Sequence, residues 1–277
     1  MTTIAVIGAG AMGSGVARRL HEQGCTVPTL LEGRSDATRE RAAAAGMADA
    51  TLDEIAQAEL ILSIVPPAQA GAVVETLAPV FASEGAPIFC DANALSPEAK
   101  KALAARVEAL GGRMVDGGII GGPPMEGYDG PHLHLCGEGA SDVAGLLNRH
   151  GIDARVLPGP IGAAAALKTC FGAINKGIIG LTTAMLLAAQ RHGAAEELRK
   201  EMDWMLGWLI ERQRVAIPRM YPKAYRWDSE MHGIAEFLAP EDPAAAKIWE
   251  GLGEFYTDRA RAQELGEELE TLKQLLD

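Results

Sequence analysis

The chain has 277 residues, 48% of them hydrophobic, and a formal net charge of −12 with an isoelectric point near 5.0. That length and apolar content supply a sizeable core for one large domain or two smaller ones. The negative balance excludes a general affinity for nucleic acid, which is held by a basic face, so any anionic ligand has to be held by local groups.

The N-terminal MTTIAVIGAG enters a strand-like apolar run at once, without the basic region and small-residue cleavage site of a signal peptide. Up to about residue 157, the short apolar runs TIAVIG, TVPTLL, ELILSIV and PIFCDA alternate with helical stretches such as SPEAKKALAARVEALGG. Alternation of this kind builds a parallel sheet covered by helices. The segment PGPIG, with Pro158, Gly159, Pro160 and Gly162, ends this region, and the pattern beyond it is helical almost throughout. The predicted division is residues 1–158 and residues 159–277. A helix over about 162–191 would run roughly 45 Å at 1.5 Å per residue, enough to join two domains.

No apolar run is both long and uncharged enough to span a bilayer; the nearest, AAAALKTCFGAINKGIIGLTTAMLLAA, is broken by Lys168 and Lys176. The expectation is a cytoplasmic protein with no membrane partner. Cys25, Cys90, Cys136 and Cys170 lie scattered without a CxxC pair, which fits reduced, mostly buried thiols. Trp204 and Trp208, spaced i,i+4, read as core or dimer packing. The terminal ARAQELGEELETLKQLLD reads as an amphipathic helix with Leu265, Leu269, Leu272 and Leu276 near one stripe, a packing or subunit-contact face.

IAVIGAGAMGSGVARRL places Gly8, Gly10 and Gly13 in a GxGxxG directly after a strand pattern and before a helical one. In that context the glycines permit a tight turn and the approach of backbone to a pyrophosphate. The helix start at Ala11, Met12 and Gly13 offers N–H donors. The domain is therefore predicted to be a Rossmann-type, doubly wound α/β dinucleotide domain, followed by an all-α domain. At the end of the second strand an acidic residue holds the ribose 2′-OH of NAD, whereas arginine holds the 2′-phosphate of NADP. The chain reads LLEGRSDATRER: Glu32 is near the acidic position, and Gly33, Arg34 and Ser35 follow at the turn. The guanidinium and hydroxyl favour NADP, with NAD the alternative.

These stretches, with SIVPPAQA, CDANALSP, VDGGIIGGPP and GPIGAAAALKTCFGAINKG, resemble the β-hydroxyacid dehydrogenase family, the relatives of 3-hydroxyisobutyrate and 6-phosphogluconate dehydrogenases. RMYPKAYRWDSEMHGIAEF resembles a bacterial branch of 6-phosphogluconate-dehydrogenase-like proteins whose helical domain carries an Arg-Trp followed by Glu-Met. The resemblance implies that Lys168 on the interdomain helix faces the nicotinamide and exchanges a proton with the substrate hydroxyl. Removing hydride from a carbinol carbon requires a base for the O–H proton, and an apolar cleft lowers a lysine pKa toward the working pH. It also implies that Val65 and Pro66 form an apolar cofactor wall, and that Asn93 and Ser96 line the nicotinamide side.

Two positions depart from the family pattern. The asparagine expected four residues after the lysine is Gly172, with Asn175 one turn further on the same face as its replacement. The serine expected before two glycines is Ile120, which leaves the Gly121 and Gly122 amides as anion donors. In the helical domain Tyr221, Tyr225, Arg226, Trp227, Glu230, Met231 and His232 cluster in sequence. Arg226 suits a substrate carboxylate, the aromatics an apolar pocket, and Glu230 or His232 a polar contact; an Arg226–Glu230 intrahelical pair explains two of them equally well. His132, His134 and Cys136 alternate on one strand face, a weak zinc pattern, and no metal is expected.

The expected protein is an NADP-preferring oxidoreductase that interconverts a secondary alcohol and a carbonyl on a small acidic substrate. It would form at least a homodimer through the helical domain, as the relatives do. An imine or ketimine reductase on the same fold, and a non-catalytic dinucleotide-binding sensor, are the rival readings.

Overall fold

The computed structural model describes residues 2–125, 127, 128, 130–263 and 266–276. Residues 1–168 and 169–277 form two compact units. The first contains β1 (Ile4–Ile7), α1 (Ala11–Glu22), β2 (Val27–Thr29), α2 (Asp36–Ala44), β3 (Met47–Asp49), α3 (Leu52–Ile55) and β4 (Leu60–Ser63). It continues through α4 (Ala70–Thr76), α5 (Ala78–Phe81), β5 (Ile88–Asp91), α6 (Pro97–Ala109), β6 (Met114–Ile120), β7 (His132–Cys136), α7 (Ala140–Arg149) and β8 (Ala154–Val156). Helix α8 (Ala163–Arg191) begins in the first unit and continues into the second, which adds α9 (Ala195–Met220), α10 (Ala224–Leu238), α11 (Pro243–Gln263) and α12 (Glu267–Leu276). The unit division thus falls inside α8, ten residues beyond the division expected after residue 158.

The six-stranded sheet runs β1-β4-β5-β6-β7-β8, and a parallel bridge from Thr3 to Thr26 joins the β2-β3 pair to it beside β1. Every pairing is parallel except β6 with β7, whose register sets Gly118 opposite His134. Strand order reverses at β1, so its C-terminal end is the point where doubly wound sheets bind ligands. All four residues of β1 are buried, Ile4 and Val6 in one core and Ala5 and Ile7 in the other, one core on each face. Burial on both faces is why this strand reads as a continuous apolar run. Strands β3 and β8 are three residues long with two of the three exposed, too short to show a period in the sequence.

Helix α6 conceals the main surprise of this unit. Lys100, in a stretch that reads as an ordinary amphipathic helix, is fully buried, as are Asp91 at the end of β5 and Asp116 in β6. Its ammonium pairs with Asp91 Oδ1 and with Asp116 Oδ1 at 3.1 Å, and donates to the carbonyls of Asp91 at 2.5 Å and Gly117 at 3.2 Å. Asp116 Oδ2 in turn accepts the amides of Gly162 at 2.9 Å and Ala165 at 3.3 Å, so a buried carboxylate caps the first turn of α8. Cys136 belongs to the same cluster: its Sγ lies 3.3 Å from Asp116 Oδ2 and accepts the Ala164 amide at 3.2 Å. Burial pushes the Cys136 thiol up to about 11, so it stays neutral beside the carboxylate.

In the second unit Gly177 and Gly180 let α11 approach α8. A Cβ on Gly177 would lie 2.8 Å from the Trp249 ring, and one on Gly180 would lie 2.7 Å from Leu252 and 2.9 Å from the Tyr256 hydroxyl. The Tyr256 hydroxyl donates to the Lys176 carbonyl at 2.6 Å, and Trp227 stacks edge-on against the Tyr256 ring at 5.1 Å. Tyr221, expected among pocket aromatics, is a core residue instead, donating its hydroxyl to Glu268 at 2.5 Å. Leu272 and Leu276 of α12 are buried and Leu269 packs against the same core; Leu265 lies outside the described residues.

Two sequence expectations change. Helix α8 meets the length and hydropathy criteria for a membrane span, contrary to the reading above, although 44% of that window is buried within the protein. Trp204 and Trp208 are 78% and 63% exposed, so they are not core of this chain; they flank Leu206, where α9 kinks with φ −130° and ψ 30°. Cys25, Cys90 and Cys136 are buried thiols, but Cys170 is exposed.

Breaking a buried charge cluster from one side is far costlier than never having built it. Lys100→Met, which strands two buried carboxylates, is expected to lower unfolding free energy by about 3–5 kcal/mol. The neighbouring exposed Lys101→Met is expected to change it little; urea unfolding of the two variants checks the contrast.

Candidate functional site

The loop between β1 and α1 assigns each glycine of the GxGxxG a separate physical duty. Gly8 has φ +112°, and a Cβ there would sit 2.3 Å from the Ile64 carbonyl oxygen. A Cβ on Gly13 would sit 1.9 Å from the Gly8 oxygen, so these two glycines pack loop, strand and helix together. Gly10 has no heavy atom within 4 Å of the place its Cβ would take. It is the N-cap of α1 without a side-chain cap, ahead of the first-turn amides of Ala11, Met12 and Gly13. An open space at a bare helix start is where a pyrophosphate fits.

Two cavities adjoin this loop. One of about 190 Å³ is lined by Gly8, Gly10, Arg34, Thr38, Arg41 and Val65, with Pro66 beside them. The other, about 500 Å³, has Leu30, Ala50, Leu52 and Val73 as apolar walls and Glu32, Gly33, Arg34 and Thr51 among its polar ones, a surface suited to a purine and its ribose. The turn that presents these groups closes through the Arg34 amide on the Leu31 carbonyl at 3.1 Å, with Gly33 at φ +68°. Glu32 and Arg34 thus face the same cavity, and Arg34 reaches both. Ser35 is bonded to Thr38 through their hydroxyls at 3.1 Å.

Arg41, which the sequence reading passed over, donates to the Ala9 carbonyl at 2.9 Å and so joins α2 to the glycine loop. Its RxR spacing with Arg39 was the available signal, but that pattern does not say which arginine turns inward. Arg39 is already engaged, with Asp49 at 3.3 Å and the Leu31 carbonyl at 2.5 Å.

Val65 and Asn93 meet directly. Asn93 is buried; its Oδ1 accepts the Val65 amide at 2.6 Å, and its Nδ2 donates to Ser63 at 3.1 Å and Asp91 at 2.5 Å. It therefore ties the ends of β4 and β5 together and connects them to the Lys100 cluster. Ser96 caps α6 by accepting the Ala99 amide at 3.2 Å. Gly121 has φ +128°, and a Cβ on it would meet the Tyr128 hydroxyl at 2.6 Å, whereas Gly122 faces open space.

On α8, Lys168 is half-buried just beyond the turn capped by Asp116. In the second unit the Asn175 carboxamide oxygen accepts a hydrogen bond from Arg212. Lys176 pairs with Glu230 at 2.6 Å and lies 5.3 Å from the Trp227 ring centroid. Glu230 is therefore the partner of Lys176, across 54 residues, and not of Arg226 four residues before it. Tyr225 and Arg226 are exposed, and Trp227 is buried. His232 bonds to Asp228 within α10. Among the described residues no group of three or more His, Cys, Asp or Glu is placed to hold a metal ion.

Comparison with known proteins matches the NAD-binding domain of 6-phosphogluconate dehydrogenase to residues 3–138 and a domain of unknown function, DUF1932, to residues 189–258. A conserved protein of unknown function, described as structurally similar to 3-hydroxyacid dehydrogenases, shares 26% identity at a TM-score of 0.79, over 94% of this chain and 98% of its own. Both domain matches and this neighbour support the β-hydroxyacid dehydrogenase family. Two further solved structures share its fold. The 3-hydroxyisobutyrate dehydrogenase of Mycobacterium tuberculosis, solved with L-serine, has 20% identity and a TM-score of 0.76, covering 99% of each chain. An imine reductase from Myxococcus stipitatus, in complex with NAD+, has 16% identity and a TM-score of 0.62 over 100% of each. No curated protein sequence matches the chain. The NAD-binding domain match supports a nicotinamide dinucleotide as cofactor and oxidoreductase as the broad class.

The glycine geometry separates folding from binding. Gly10→Ala adds a methyl group to open space at φ −73° and is expected to leave the melting temperature unchanged while weakening nicotinamide dinucleotide binding about tenfold or more. Gly13→Ala is expected to destabilise the whole first unit; thermal melting and calorimetric titration read the two effects.

Proposed function

We propose that the protein is an NADP-preferring oxidoreductase that interconverts a secondary alcohol and a carbonyl on a small acidic substrate, with Lys168 as its acid/base. The observation that best supports this reading is the position of Lys168, half-buried directly after a helix turn that a buried carboxylate anchors. A base held on a rigid element suits proton transfer, which depends on geometry before pKa. In the oxidative direction Lys168, in its neutral form, takes the hydroxyl proton as hydride leaves the carbinol carbon; in reduction the ammonium returns that proton to the carbonyl oxygen. When bound, the nicotinamide supplies or accepts the hydride.

For the cofactor, Arg34 and Ser35 at the turn, with Thr38 and Arg41 beside them, would hold a 2′-phosphate, and Arg39 is committed elsewhere. Glu32 at the same cavity is the group that would favour NAD. The Gly loop with Ala11 and Met12 would carry the pyrophosphate, and Val65 and Pro66 the apolar wall. Asn93 would act there through the backbone it braces.

On the substrate side the reading takes the Gly121 and Gly122 amides, Ser96, and Asn175. With its Oδ1 on Arg212, the Asn175 carboxamide keeps an NH2 group as donor for a substrate oxygen. Tyr225, Arg226 and Trp227 are the α10 groups assigned to substrate contact, and Glu230 borders them through its pair with Lys176. We place the protein in the cytoplasm as a homodimer. Phe171, Ile174, Leu181 and Met185 are all at least half exposed at heptad-like spacing on α8, a face suited to a second copy.

Two measurements test the reading. NADPH is expected to bind more tightly than NADH by calorimetry, and Arg34→Ala to remove most of that preference; the opposite preference would make Glu32 the ribose ligand. Lys168→Met is expected to keep cofactor affinity while lowering the turnover of any active 3-oxo acid by about 10²-fold or more. Cofactor binding without turnover of any acid, ketone or cyclic imine would instead favour a sensor.

A further inference from the structure

The space beside Gly172 is bordered by a charged pair rather than by packing. A Cβ on Gly172 would come within 3.6 Å of Glu230 Oε1 and 3.7 Å of Lys176 Nζ. A longer side chain, such as the family's asparagine, would compete with those groups for this space. Lys176 follows Gly172 by four residues on α8, one turn on, and is held at both ends. Its carbonyl accepts the Tyr256 hydroxyl at 2.6 Å, and its ammonium lies 5.3 Å from the Trp227 ring centroid. The two partners of the ion pair differ in accessibility: the Lys176 side chain is 14% exposed and that of Glu230 is 47% exposed. The cation is fixed and sheltered, whereas its carboxylate partner is half in water and free to return to solvent at small cost.

We propose that Lys176 anchors an oxyanion of the substrate, a carboxylate or a phosphate, and that Glu230 occupies that place until the ligand displaces it. The exchange replaces one carboxylate on the ammonium by another anion, so the sheltered charge is never left unpaired. The assignment rests on the reading of the protein as an enzyme for an acidic substrate, and it gives Lys176 the part left vacant by the departure at Gly172. It also assigns Glu230 a role opposite to direct recognition: its carboxylate competes with the ligand.

A salt bridge that serves stability alone responds in the same direction to loss of either partner, whereas a cation guarded by a competing carboxylate responds in opposite directions. The test is calorimetric titration of malonate and of inorganic phosphate, at low ionic strength, into the full chain saturated with NADP+. Wild type, Lys176→Met, Lys176→Arg and Glu230→Gln are compared, with thermal melting to show that each folds. Glu230→Gln is expected to tighten anion binding by about threefold or more and Lys176→Met to weaken it by about tenfold or more, with Lys176→Arg close to wild type. Binding of malonate alone marks a carboxylate site, and of phosphate alone a phosphate site; either supports the proposal if the opposite-sign pattern holds. The proposal is overturned if Glu230→Gln and Lys176→Met weaken binding together, or if no variant binds either anion. NADP+ binding by the same samples reports the cofactor reading separately, and if it is absent the same titrations on the apoprotein decide the anion site.

Discussion

A single buried ammonium organises the end of the sheet from which the functional elements depart. Lys100 neutralises Asp91 at the tip of β5 and Asp116 in β6, and the two carboxylates pass that constraint on. Asp91 orients Asn93, which holds the Val65 backbone beside the glycine loop, and Asp116 caps the first turn of α8, which carries Lys168. Such a cluster contributes little net stability compared with an apolar core, since three charges have been taken out of water. Its value lies in direction: hydrogen bonds to charged groups have defined geometry, and apolar packing does not. The cofactor wall and the first turn of the helix of the proposed base are thus both bonded, through Asn93 and Asp116, to groups that this lysine pairs or orients.

The same arrangement explains which parts were legible in the sequence. Fully buried strands such as β1 and β4 leave continuous apolar runs, and the GxGxxG sits between two strong patterns, so the nucleotide-binding half could be read directly. Helix α8 could be predicted over 162–191 because Gly162 and a long apolar stretch mark its extent, against an observed Ala163–Arg191. Lys100 could not be read, because a lysine in a helix is usually a solvated residue, and its partners lie 9 and 16 positions away in different strands. The arginines of the β2–α2 turn and of α2 posed a similar problem: Arg34, Arg39 and Arg41 look alike in sequence, and contacts with Asp49 and Ala9 distinguish the occupied Arg39 from the inward-facing Arg41.

Substrate recognition was the least legible layer. Local spacing suggested Arg226 with Glu230 and grouped Tyr221 with Tyr225 and Trp227. Tertiary packing sends Tyr221 to the core, leaves Tyr225 at the surface, and pairs Glu230 with Lys176 from another helix. The departures at Gly172 and Ile120, read as losses against the family pattern, acquire physical content in the structure: Gly172 opens room beside an ion pair, and Gly122, two residues after Ile120, faces open space. The proposed function takes conformity at Lys168 and departure at these positions together, as redox chemistry of the family's kind on a different acid.

The most direct test of that account is isotopic. Wild type and Lys168→Met are incubated with NADPH carrying deuterium at both C4 positions and with a panel of small 3-oxo acids, and the products are weighed by mass spectrometry. The account predicts one deuterium on the new carbinol carbon of at least one acid with the wild type, and almost none with the variant although it still binds cofactor. Equal deuterium incorporation by both proteins, or tight NADPH binding with no deuterium delivered to any acid, would contradict it.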